Sequence, residues 1–214
     1  QDAAPDATID IHLGATVTRT TLENTSGTSL EERATSFFAS VHLSIVLDGD
    51  LVNVSAEGGD RGPAGVLDAI IDRTLARLAD ARVAAARPER PVRVVFAPEA
   101  VAALLQPFVT GLDGLEVALG GSPLGSALGR GWADPRLSLV DDGLLASGLA
   151  SSRWDGEGVP RRTTALLERG VLAAFYHDLR SASLAGAEST GSAVRAGLLP
   201  ARRPGNWILR FADA

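Results

Sequence analysis

The run Val41-His-Leu-Ser-Ile-Val-Leu-Asp-Gly-Asp-Leu-Val-Asn-Val54 decides the fold class. Val41, Leu43, Ile45 and Leu47 alternate with His42, Ser44 and Val46, so one face of a strand is apolar and the other is not. Asp48-Gly49 then precedes a second apolar run, Leu51, Val52 and Val54. Asp-Gly between two such runs specifies a hairpin, because both turn residues must take positive φ. The expectation is an antiparallel sheet with one buried face.

Upstream, Thr16, Val17, Thr18 and Thr20 extend the strand character, and Asn24-Thr25-Ser26-Gly27 supplies a turn. Downstream, residues 63–87 change to helical period: Val66, Leu67, Ile70, Ile71, Leu75 and Leu78 recur at three and four. Pro63 is the expected first helical residue, with Asp68 and Asp72 early and Arg82 and Arg87 late, as the helix dipole favours. Pro88 and Pro91 end the helix. A buried strand is expected at Val92–Phe96 and a second helix from Pro98 to about Leu105. Further strands are expected at Leu137–Val140, Thr163–Leu167, Val171–Phe175 and Trp207–Phe211, with a short helix at Asp178–Leu184. The fold class is α+β, with antiparallel sheets covered by helices in two packed subdomains.

The 214 residues are long enough for a sizeable core and carry a net charge of -6, which excludes a generic nucleic-acid binder. No apolar run approaches the ~20 residues of a membrane span, so neither nucleic acid nor membrane is an expected partner, and a cytoplasmic location is expected. Cys is absent, and every basic residue is Arg. Thiolate nucleophiles, P-loops, Schiff bases and Ser-x-x-Lys hydrolases are therefore excluded together. Met is absent as well and Gln1 leads, which is expected of a piece or a processed form of a longer product.

His12, His42 and His177 have no i, i+4 spacing for zinc. The glycines at 120, 121, 125, 129 and 131 fail the dinucleotide fingerprint, and no Gly-x-Ser-x-Gly elbow exists. Carboxylates remain: Asp141-Asp142 after a strand, and Asp155-Gly156-Glu157-Gly158 after a Ser-rich turn. Paired carboxylates can divide acid and base roles, but Asp141-Asp142 can equally end a strand and Asp155-Gly156 make a turn.

Five segments in order carry a resemblance: Ser138-Leu-Val-Asp-Asp-Gly143, Asp155-Gly-Glu-Gly-Val-Pro-Arg-Arg-Thr-Thr164, Leu167-Glu-Arg-Gly-Val-Leu172, His177-Asp-Leu-Arg-Ser-Ala182 and Ser189-Thr-Gly-Ser-Ala-Val-Arg195. From about residue 15 onward the chain resembles the TldD/PmbA family of metallopeptidase-related proteins. The resemblance implies a central domain at 1–87 and the first part of a carboxy-terminal domain at 88–214. In TldD-like members a His-Glu-x-x-x-His zinc helix follows a strand; here those positions fall near Gln106, Pro107, Thr110 and Gly111. None of these four can ligate zinc as imidazole or act as a carboxylate base. Pro107 also removes a helical donor, and the family's cysteine ligand has no counterpart.

The resemblance thus implies a zinc-free PmbA (TldE)-like subunit, with no metal site or cofactor of its own and no catalytic residue assigned. Its implied partner is a TldD-like zinc subunit in a heterodimer, and its implied substrate is an unfolded peptide. Asp142, Asp155, Glu157, Arg161 and Arg162 lie in the family motifs and are the candidates for chamber or substrate contact. Two alternatives stay open: a standalone hydrolase using Asp142, Asp155 and Glu157, and a peptide-binding module without enzymatic activity.

Overall fold

A computed structural model of the chain describes residues 7–83, 85–195 and 197–212. The chain is α+β, and its sheets are antiparallel wherever their register is given. It divides into two compact units. One comprises residues 1–19 and 33–94, the other residues 20–32 and 95–214.

In the first unit the order β1-β2-β3 is built from β1 (Thr8–Glu23), β2 (Ser29–Leu47) and β3 (Asp50–Asp60). The tips of β1 and β2, beyond Arg19 and before Arg33, belong to the second unit. Leu47 faces Asp50 across the ladder, so Asp48 and Gly49 are the two turn residues, at φ 51° and 91°. That is the backbone an Asp-Gly hairpin requires. Val41, Leu43 and Ile45 are buried, whereas His42 and Val46 are exposed. Helix α1 (Val66–Ala81) lays Ile70 against Ala39, Val41 and Ala56, and Leu78 against Leu43 and Ile45. Gly58 permits this approach, since a Cβ there would stand 3.0 Å from Ile70 Cδ1.

Helix α1 starts three residues after Pro63, because Gly65 at φ 72° forms its N-cap. It also ends at Ala81, leaving Arg82 as C-cap and Arg87 beyond, so no basic residue lies in the last turn. The buried strand expected at Val92–Phe96 is not formed. Pro91 to Ala97 belong to no ladder, and Val92, Val94, Val95 and Phe96 are all exposed. β-propensity measures fit to a sheet surface, and no described strand offers this run one.

In the second unit, β4 (Leu137–Asp142), β5 (Thr163–Glu168), β6 (Val171–Leu172) and β9 (Asn206–Phe211) form a sheet in the order β6-β5-β4-β9. β7 (Ala193–Arg195) and β8 (Pro200–Arg202) make a separate pair. The helices are α2 (Pro98–Gly111), α3 (Gly114–Ala118) and α4 (Leu179–Ala185). Leu112, Leu139, Leu166, Leu172, Phe175 and Tyr176 belong to one buried cluster. The strand expected at Val171–Phe175 stops at Leu172, where Ala173 N turns back to donate to Leu166 O at 2.9 Å. The glycine-rich loop lies on this strand: Gly129 N donates to Leu172 O at 2.8 Å and Gly131 bridges Val171. Gly129 takes the left-handed backbone at φ 74°, which glycine favours, whereas a Cβ at Gly131 would meet no atom within 4 Å. No helix among the described residues is long and apolar enough to cross a membrane.

Candidate functional site

The family-motif loop starts from Asp155, which is 3% exposed. Its Oδ1 accepts from Glu157 N at 2.9 Å and Val159 N at 3.0 Å, closing the turn that Gly158 completes at φ 83°. Its Oδ2 accepts from Ala193 N at 2.9 Å, tying the loop to β7. Gly156 lies so close to β7 that a Cβ would meet Arg195 N at 2.9 Å. Glu157 Oε2 accepts from Leu179 N at 2.8 Å, the first residue of α4. A carboxylate is well placed there, because the first-turn amides of a helix lack internal partners. Glu157 is thus held by a backbone donor.

Asp142 Oδ1 accepts from Leu144 N and Thr163 Oγ1, both at 2.9 Å. Arg162 pairs with Glu188 at 3.2 Å and donates to the Ser189 carbonyl. These contacts make Asp155, Glu157 and Asp142 anchors of loop, helix and strand ends.

Beside Asp142, Asp141 is buried and accepts from Gly205 N at 2.7 Å. Burial pushes its carboxyl up to about 6, against the opposing effects of the Gly205 amide and the Arg161 charge, with Asp142 adding a smaller push upward. The folded state therefore binds this proton more tightly than the unfolded chain does. The stabilisation is fully present below the ordinary Asp range and is lost as pH rises through about 6. Asp141→Asn removes the titration. Between pH 8 and pH 4 the stability of the parent is expected to rise relative to the variant by up to about 3 kcal/mol. Urea unfolding of both proteins at several pH values measures this, and parallel curves would refute it.

Asp155, Glu157 and Arg161 line one cleft of about 660 Å³, together with Thr20–Asn24 at the end of β1, Trp154 and Arg195. Asp142 and Arg162 do not line it. Glu32, also on the wall, accepts from Arg153 N at 3.2 Å, and the Arg153 guanidinium lies 4.6 Å from the Trp154 ring centroid. Burial lowers the Arg161 pKa, against the upward pull of Asp141, Asp155 and Glu32.

Helix α2 carries the four residues near which the resemblance implies the zinc-helix positions would fall. Gln106, Pro107 and Thr110 are exposed and Gly111 is buried. Pro107 is accommodated inside the helix, which continues about six residues further than the sequence pattern indicates. Gln106 borders a second cleft of about 560 Å³ with Arg203 and Trp207. Among the described residues, no group of three or more His, Cys, Asp or Glu is placed to hold a metal ion.

A buried triad was not legible in the sequence. Arg202 Nε meets Asp113 Oδ1 at 2.6 Å and Arg202 Nη1 meets Asp178 Oδ2 at 3.4 Å. Both carboxylates are also N-caps. Asp113 accepts from Leu115 N at the start of α3, and Asp178 from Ser181 N in the capping box of α4. One guanidinium therefore joins two helix starts. Between them the His177 ring packs so tightly on Gly114 that a Cβ there would meet Nδ1 at 2.1 Å. Burial lowers the His177 pKa, although Asp178 and Asp113 pull it upward. The Asp-x-x-Ser spacing of the capping box was the available signal.

Comparison with known proteins accords with this layout. The uncharacterized protein MJ0231 of Methanocaldococcus jannaschii is 31% identical over 191 residues, covering 88% of this chain and 44% of that protein. Metalloprotease MJ0996 of the same organism is 25% identical over 128 residues, covering 59% of this chain and 28% of that protein. The chain thus spans less than half the length of these relatives. Among solved structures, TldE from Thermococcus kodakarensis superposes with a TM-score of 0.90 at 20% identity, over 99% of this chain and 49% of that one. TM0727 from Thermotoga maritima, solved under the name of a DNA gyrase modulator, gives 0.80 at 26% identity, over 89% and 44%. Residues 89–213, more than half the chain, match the family model of the PmbA/TldA metallopeptidase C-terminal domain. The chain belongs to the TldD/PmbA family of metallopeptidase-related proteins.

Proposed function

We propose that this chain is part of the metal-free, TldE-like subunit of a two-subunit cytoplasmic peptidase that degrades or trims unfolded peptides. The observation that carries the reading is the chemistry of α2. The residues near which the zinc-helix positions would fall are Gln106, Pro107, Thr110 and Gly111, an amide, an imide, a hydroxyl and a bare backbone. Such a set does not fit zinc, which is held by imidazole, thiolate or carboxylate. In this reading zinc resides in a TldD-like partner, where it would polarise the scissile carbonyl and activate water. This chain supplies chamber wall, partner interface and substrate positioning. A wall matters to turnover, because misplacing a substrate by ~1 Å can cost on the order of a hundredfold.

Reconstitution with the zinc subunit tests the reading. The expected result is no peptide cleavage by this chain alone, and chelator-sensitive cleavage by the pair that exceeds cleavage by the zinc subunit alone. Glu157→Gln should leave the partner's metal content unchanged and alter turnover only through assembly or KM. Cleavage by this chain alone, insensitive to chelator and abolished by Glu157→Gln, would establish the carboxylate hydrolase in its place.

A further inference from the structure

The cleft bordered by Thr20–Asn24, Trp154 and Arg195 has an uneven distribution of unused hydrogen-bonding capacity. Apart from the exposed Glu23, its carboxylates are engaged. Asp155 accepts from three backbone amides, Glu157 from Leu179 N, and Glu32 from Arg153 N. Its guanidiniums keep unused donors. Arg161 Nε is buried with no partner, and no hydrogen bond among the described residues engages the rest of the Arg161 head. Arg195 commits Nε to the Gly156 carbonyl at 3.0 Å, which fixes the head at the cleft wall. What Arg161 lacks is an acceptor, and planar guanidinium donors match a carboxylate best. At about 660 Å³ the cleft has room for several residues of an extended segment, with the indole of Trp154 and the side chains of Leu22 and Val194 as apolar wall.

We propose that this cleft binds a peptide through a carboxylate, received by Arg161 and Arg195 at the wall formed by the Asp155–Arg161 loop and β7. The carboxylate comes from the peptide's C-terminus or from an Asp or Glu side chain. The inference rests on the peptide-handling reading above and adds the group that is recognised. Asp155, Glu32, Glu157 and the exposed Glu23 keep the cleft's overall charge negative. The selectivity is therefore for one carboxylate at one place, and highly acidic peptides are disfavoured.

The test is calorimetric titration of the 214-residue chain with three probes. These are N-acetyl-pentaalanine with a free C-terminus, its C-terminal amide, and the amide with a central Glu. The plain amide should bind about tenfold or more weakly than at least one carboxylate-bearing probe, as expected when a charge-assisted bond is lost. Preference for the free acid identifies the C-terminus, and preference for the Glu amide identifies a side chain. Arg161→Gln should abolish the preference. Arg195→Gln, at an exposed position, should weaken it severalfold with a thermal midpoint close to that of the parent. Equal binding of all three probes, no binding of any, or a preference that survives both substitutions would overturn the inference. The subunit reading would stand separately in each case if the chain still stimulates the zinc subunit.

Discussion

Asp155→Ala is expected to lower the unfolding free energy by about 4 kcal/mol, the largest loss of any single carboxylate in the family-motif loop. The carboxylate is buried and accepts three amides, from Glu157, Val159 and Ala193. Truncation leaves all three donors without a protein partner. Each orphaned amide costs roughly 1–3 kcal/mol, and a water entering the space left by the carboxylate offsets part of the sum. Asp155→Asn should lose about half as much, near 2 kcal/mol, since its oxygen still serves two amides while its NH2 confronts the third. Urea midpoints for the three proteins decide the matter. Equal, sub-kilocalorie losses would mean that the turn at Gly158 holds the loop unaided.

The second large effect concerns Arg202. Arg202→Ala should cost about 3–5 kcal/mol at pH 7, because it leaves Asp113 and Asp178 buried without their counter-charge. Burial alone would raise the Asp178 carboxyl. The hydrogen bonds from Ser181 and the charge of Arg202 outweigh burial and hold it below its ordinary value. In the parent, that contribution to stability is present above the ordinary Asp range and is lost as pH falls through the lowered pKa. The deficit of the variant should therefore shrink towards acid pH, where Asp178 takes up a proton. A second substitution, Asp113→Asn, should recover part of the loss at pH 7. A deficit independent of pH, or a double variant with fully additive losses, would mean that Arg202 acts through packing alone.

How much of this was legible beforehand depended on the range over which each feature is encoded. The β2–β3 hairpin was readable, because alternation over seven residues and the Asp-Gly turn act on the same ladder. Helix α1 was readable from its period, but its start was set by the left-handed Gly65, which no apolar pattern registers. Val92–Phe96 has the composition of a strand and is not one, since pairing depends on a neighbour and composition does not report neighbours. β7 and β8 have three residues each, too few to show any period. The loop carboxylates were found by type. Their roles as anchors were not, because the partners are backbone amides, which carry no sequence signature. The triad was out of reach for a related reason: Arg202 lies 89 positions from Asp113 and 24 from Asp178.

The unpaired run at Val92–Phe96 bears on how the polypeptide behaves in a concentrated solution. Val92, Val94, Val95 and Phe96 are exposed and β-branched or aromatic, with Arg93 as the only charge among them. Exposed segments of this composition template intermolecular cross-β contacts, and flanking charge and proline act against that growth. Arg90 and Pro91 stand on one side and Pro98 on the other, the placement of gatekeepers. Colloidal loss of the isolated polypeptide would thus begin from its native state, without prior unfolding, and would depend on the charges at Arg90 and Arg93 more than on the quality of either hydrophobic core.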